Sequence, residues 1–231
     1  MIGIDNVIYE KKEGMNMLKE IMLSAMIAES FIQPSSTELR TFSNNNSSVS
    51  DTLSVDFSGL KDDDKILKID GGYLYGGCSL YDADNNLIGN YNSQTSLESI
   101  TVAEARKEIS EKKNEISLFG AYPPDPDKSN PLVVLDANSS YTSNEFTGSG
   151  WRFSGKRFFP ASGTGDFLRW TCYVDGGRVG NYNEAYATKN GNLQGTAINA
   201  GQSRYVNKYG SAQIYYTYNP LPKTYYVVEN R

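Results

Sequence analysis

The stretch Ala212-Gln213-Ile214-Tyr215-Tyr216-Thr217-Tyr218 decides the fold class, because it puts bulky residues on both faces of one extended segment. Aromatic and β-branched residues suit a pleated, half-buried strand. Alternate tyrosines would face a core, and the others need polar partners or water for their hydroxyls. Working outward from this run, short segments of the same kind recur from Gly148 to Arg231: Trp151–Phe153, Arg157–Phe159, Phe167–Val174, Asn183–Thr188, Thr196–Ile198 and Thr224–Val228. Gly, Asn or Pro separates each from the next. This spacing predicts a basic, tyrosine-rich β domain over 148–231, built as a sandwich or a partly closed barrel.

Upstream, residues 52–147 read as a second, acidic β-rich region. Leu53, Val55 and Phe57 alternate with polar residues, and Ile66 to Ile69 continue in strand-like fashion. Asp70-Gly71-Gly72 punctuates before Tyr73-Leu74-Tyr75. Cys78–Tyr81 and Leu87–Gly89 flank Asp82-Ala83-Asp84-Asn85-Asn86, which predicts a hairpin with a turn-rich loop. Asp82, Asp84 and Asn86 also match the first three ligand positions of a calcium loop. Positions six and twelve of that loop need Gly and Glu, and here they are Leu87 and Ser93, so no metal site is expected. Residues 101–115 predict one short surface helix, opened by a Thr101–Glu104 capping box. Its apolar face is limited to Val102, Ala105 and Ile109. Tyr122–Pro126 breaks regular structure, Leu132–Leu135 is a short buried strand, and 138–150 reads as loop up to a domain boundary near 148. Overall the chain is expected to be mainly β, with two β-rich regions.

Ahead of these regions, residues 1–34 outline a leader. The apolar core Ile21–Ala28 follows Lys19 and resembles a short secretory signal, whereas Glu20 and Glu29 interrupt any membrane-spanning helix. Codons for Lys11-Lys12-Glu13-Gly14 would suit a bacterial ribosome-binding site, with synthesis starting at Met15 or Met17; an amphipathic helix at the chain start is the competing reading. Residues 35–51, rich in Ser, Thr and Asn, read as a flexible linker. Signal, linker and β structure in this order predict an extracellular protein of a Gram-positive bacterium.

Charge and composition narrow the chemistry. Residues 1–150 carry 12 Lys+Arg and 23 Asp+Glu (−11), and residues 151–231 carry 10 and 4 (+6), giving the total of −5. A removable pro-region masking a basic domain would explain this split, as would chance differences between solvated surfaces. There is no histidine, which excludes Ser-His and Cys-His nucleophile arrangements and the commonest metal ligand. Cys78 and Cys172 are too few for a structural zinc site and would form one disulfide in an exported chain. No phosphate loop or nucleophile elbow occurs, so no cofactor is expected. Arg152, Lys156, Arg157, Arg169, Arg178, Arg204 and Lys208 would favour an anionic cell-envelope component, and nearby rings would favour a glycan. The residues singled out for binding are Trp151, Arg152, Arg157, Trp170, Tyr215 and Tyr218. Nucleic acid is disfavoured by export. A hydrolase would rest on acids such as Asp166 or Glu184.

Trp151, the Gly180-Asn181-Tyr182 segment with Ala185-Tyr186-Ala187-Thr188, and Gly210-Ser211-Ala212-Gln213-Ile214-Tyr215-Tyr216 loosely resemble lactococcin 972-type bacteriocins over Gly148–Asn219. The resemblance implies a small secreted β-sandwich that inhibits cell-wall synthesis by engaging lipid II. The chain departs from that family in lacking its histidines, in carrying Cys172, and in its long acidic segment. Three functions therefore stand at this point: a bacteriocin-like, non-enzymatic envelope-targeting protein; an extracellular carbohydrate-binding or adhesion module; and a hydrolase with unrecognised acids.

Overall fold

Tyr141, Phe158, Trp170, Tyr215 and Tyr226 are fully buried and meet in one aromatic cluster, although they come from both of the regions that the sequence separates. In a computed structural model of the chain, residues 55–112, 130–181, 194–207, 211–220 and 223–231 are described. The expected leader, the linker, the Asn183–Thr188 strand and the proline-rich break lie outside the described residues.

The first sheet is antiparallel throughout. In order across the sheet it contains β13 (Ser203–Asn207), β10 (Phe167–Cys172), β15 (Tyr226–Asn230), β7 (Ser139–Ser143), β2 (Gly72–Tyr75), β1 (Lys65–Ile69) and β5 (Ile100–Thr101). The second runs β12 (Thr196–Ile198), β11 (Gly177–Asn181), β14 (Gln213–Tyr218), β9 (Arg157–Pro160), β6 (Leu132–Leu135), β3 (Gly77–Tyr81) and β4 (Leu87–Asn92). A short β8 (Trp151–Phe153) also pairs with β14, and β6 and β9 are parallel. The inner faces of the two sheets share one core, so the protein is a β-sandwich, not a closed barrel.

In each sheet the strands of 148–231 lie together on one side and those of 52–147 on the other, joined by the β15–β7 pairing in the first sheet and the β9–β6 pairing in the second, and residues 50–231 form one compact unit. The expected boundary at 148 falls where the chain passes from one side of both sheets to the other, while the two sides share one core. Removing 51–147 as a pro-region would take away β1 to β7, leaving β15 without its neighbour β7 and β9 without its neighbour β6. The charge split belongs to one body: the half-exposed Arg157 donates to the Asn130 carbonyl and to Asn85, and the buried Lys156 ammonium lies 3.3 Å from Asp70.

Local chemistry accounts for the elements. The helix, α1 (Val102–Lys112), is capped as expected: Thr101 Oγ1 accepts from the Glu104 amide, and the Glu104 carboxylate accepts from the Thr101 amide. The helix buries Val102 and Ala105 with Ile66 and Tyr73 on the outer side of the first sheet. Val55 and Phe57 join that cluster from an irregular segment rather than from the strand predicted there, because their partners are side chains and not a neighbouring ladder. The Asp82 turn forms, with Asp82 Oδ1 accepting from the Asp84 and Asn86 amides and Oδ2 from Asn86 Nδ2. These hydrogen bonds, led by that from the Asn86 side chain, hold the Asp82 carboxyl below its ordinary range.

Every buried polar ring atom in the aromatic cluster needs a partner. Tyr226 donates to the Ser154 carbonyl at 2.9 Å, and Trp170 Nε1 donates to Gln213 Oε1 at 2.6 Å. Burial holds the Tyr141, Tyr215 and Tyr226 hydroxyls well above the ordinary tyrosine range. The unfolded chain therefore releases these protons first, from about pH 10 upward. Stability is fully present below that pH and falls as pH rises through it; a urea midpoint that stays flat from pH 9 to 12 would contradict this placement of the tyrosines. Residues 148–231 expressed alone are expected to show no cooperative unfolding by circular dichroism, whereas residues 50–231 unfold cooperatively.

Candidate functional site

The strand Phe167–Cys172 alternates strictly: Leu168, Trp170 and Cys172 are buried in the core, which leaves Phe167, Arg169 and Thr171 on the outer face. Antiparallel pairing carries that face across the sheet. Arg169 is opposite Tyr205 on one side and Glu229 on the other, Glu229 is opposite Ser140, and Ser140 is opposite Tyr75. Five strands thus contribute one continuous row, Tyr205–Arg169–Glu229–Ser140–Tyr75. Four interstrand steps of about 4.8 Å make it roughly 19 Å long.

The charge centre of the row is Glu229, which is nearly buried yet ionic. Its Oε2 accepts from Arg169 Nη1 at 3.0 Å and its Oε1 lies 2.5 Å from Arg231 Nη2. Two guanidiniums on one carboxylate satisfy a charge that would otherwise be costly to bury. Arg169 also donates to Ser203 Oγ, whose own neighbour is the Thr171 hydroxyl at 2.8 Å.

A cleft opens at each end of this row. One, of about 380 Å³, is lined by Tyr75, Ser140, Glu229 and Arg231 together with Asp56 and Asp64 from the segment that follows Val55. The other, of about 330 Å³, is lined by Thr164, Gly165, Asp166, Phe167, Tyr205 and Arg231. Phe167 and Tyr205 are 50% and 62% exposed, unusual for large rings on a sheet whose opposite face forms a dense core. Arg231 lines both clefts.

The residues singled out from sequence are scattered by the fold. Trp170 and Tyr215 are core residues without exposure, so neither can present a ring to a ligand. Trp151 and Tyr218 do meet, with ring centroids 5.1 Å apart, on the outer side of the second sheet. Arg152 follows Trp151 in the chain and donates to the Trp151 carbonyl. Arg157 is held elsewhere, at Asn85 in the Asp82 turn. Glu184 and Lys208 lie outside the described residues. Asp166 lines the second cleft. The residues that sequence reasoning missed are Phe167, Tyr205, Glu229, Arg231, Ser140 and Tyr75. Alternation in Phe167–Cys172 marks an outer polar face, but no local signal says which strands flank it.

Cys78 and Cys172 are both free and buried, which corrects the expected disulfide. They sit on strands of different sheets with different neighbours. Cys172 Sγ is 3.0 Å from the Tyr215 hydroxyl and donates to the Val174 carbonyl, while Cys78 is paired across to Tyr91 and Leu135. Burial pushes the Cys78 thiol up to about 12, with Asp136 adding and Lys156 opposing. Burial also raises Cys172 against the hydrogen bond from Tyr215. Both are inert thiols and not nucleophiles. Among the described residues no cluster of acids and cysteines is placed to hold a metal ion, and no helix is long and apolar enough to cross a membrane.

No protein-family model, curated protein or solved structure matches the chain. The site therefore stands on its own geometry. Native protein at pH 8 is expected to leave both thiols unreacted towards Ellman's reagent, with two reacting after denaturation. Prompt release of one equivalent in the native state would show that a cysteine is accessible.

Proposed function

We propose that this protein is a non-enzymatic, extracellular binding module that holds a glycan on the open outer face of its first sheet. One observation carries the reading: a cross-strand row of hydroxyl, carboxylate and guanidinium groups with the exposed rings of Phe167 and Tyr205 at its end. Sugars present both an apolar ring face and a dense set of hydroxyls. Aromatic rings take the first, and fixed donors and acceptors such as Arg169, Glu229 and Ser140 take the second. Ion pairing holds the Arg169 and Glu229 side chains before any ligand arrives, which lowers the ordering cost of binding.

The basic surface expected from composition gives less support to an anionic partner. Lys156 is buried against Asp70, Arg169 is paired with Glu229, and Arg178 donates to the Gln194 and Gly195 carbonyls. The competing envelope-targeting, bacteriocin-like reading draws on the Trp151–Tyr218 pair on the other sheet, together with the resemblance over Gly148–Asn219.

Glycan-array screening followed by calorimetry separates the two readings. Tyr205→Ala and Phe167→Ala are each expected to weaken glycan binding by about tenfold or more. Both are expected to shift stability by no more than about 0.5 kcal/mol, as surface substitutions. Growth inhibition of Gram-positive cells that is lost in Trp151→Ala, with no glycan bound by the wild type, would overturn the proposal in favour of the second reading.

A further inference from the structure

We infer that the site takes the interior of a glycan chain several sugar units long, with Arg231 as the specificity-determining residue at the centre of the track. This rests on the glycan-binding reading above and adds the length and polarity of the ligand.

Three observations carry it. The two clefts are not separate sites, because Arg231 lines both, and its guanidinium is fixed at their junction by Glu229. The row beneath them crosses five strands, so its length of roughly 19 Å far exceeds a single sugar ring. A tyrosine stands at each end of that row, Tyr205 in one cleft and Tyr75 in the other. A monosaccharide would occupy one cleft and leave the other end of the row to water. A chain can stack at both ends while its middle hydroxyls meet the junction.

The ligand's charge follows from the same residues. Among the described residues, Asp56, Asp64, Asp166 and Glu229 line the clefts against Arg231 alone, and Arg169 is already committed to Glu229 and Ser203. A polyanion such as a phosphate- or uronate-rich polymer would meet like charge in both clefts. An uncharged, hydroxyl-rich chain would instead find carboxylates as acceptors and Arg231 as a donor. Occupying both clefts makes each further sugar contact intramolecular, so affinity climbs with chain length until the row is filled.

The test is calorimetric titration of the full chain with two uncharged series, chitin-derived and starch-derived oligosaccharides, each from the monosaccharide to the hexasaccharide. In the series that binds, affinity is expected to rise stepwise with length and then level off. Arg231→Ala is expected to weaken the hexasaccharide by about tenfold more than the monosaccharide. Arg231→Lys keeps a cation beside Glu229, so it guards against misreading a destabilised protein and should show an intermediate loss. A monosaccharide bound as tightly as the hexasaccharide would overturn the inference while leaving glycan binding intact. Tighter binding of polygalacturonate than of either neutral series would overturn the charge assignment. Failure of all these ligands to bind would sink the glycan reading and this inference together.

Discussion

The buried hydroxyl of Tyr226 governs much of this structure. A phenol in a sandwich core must be hydrogen-bonded, and the acceptor it finds is the Ser154 carbonyl, in the turn between β8 and β9. Its ring packs against Tyr141, Phe158, Trp170 and Tyr215, so one residue ties together strands of both sheets. Trp170 adds a second bolt, through Gln213 to the Val206 carbonyl on an edge strand. Such a core is more demanding than an aliphatic one. Each ring brings large apolar area, but each polar atom left without a partner costs about 1–3 kcal/mol.

That requirement joins the acidic and basic parts of the chain in one core. Tyr141 and Leu74 come from the acidic part and fill the same core as Trp170 and Val228 from the basic part. Opposite charges of the two parts meet at Lys156 and Asp70, where the ammonium is buried and the carboxylate is exposed. Basicity summed along the sequence is therefore a poor guide to the potential at the surface.

The outer face of the first sheet is divided in its use. Towards β5 it is roofed by α1 and by Val55 and Phe57. Towards β13 it stays open, and there the outward residues are Phe167, Arg169 and Tyr205. A sheet face that was apolar throughout would need complete covering. A face carrying an ion-paired carboxylate and two exposed rings can stay open to water and present a groove.

Much was legible in the sequence where the physics is local. The mainly β character, the Thr101 cap, the Asp82 turn and the strands Trp151–Phe153 and Thr196–Ile198 follow from alternation, capping and turn chemistry within a few residues. By contrast β7, Ser-Ser-Tyr-Thr-Ser, reads as loop, yet it lies in the middle of the first sheet because β15 and β2 pair with it on both sides. Asp70-Gly71-Gly72 and Asp175-Gly176-Gly177 show the division most clearly. Gly71 and Gly176 adopt nearly the same left-handed backbone, with φ of 75° and 79°. The first turn folds β1 back onto β2 in one sheet, and the second sends the chain from β10 in the first sheet to β11 in the second. The sequence by itself determined where the chain extends and turns. Tertiary structure alone decided which strands became neighbours, and so which side chains share a groove, because pairing is settled by core packing between residues far apart in the chain.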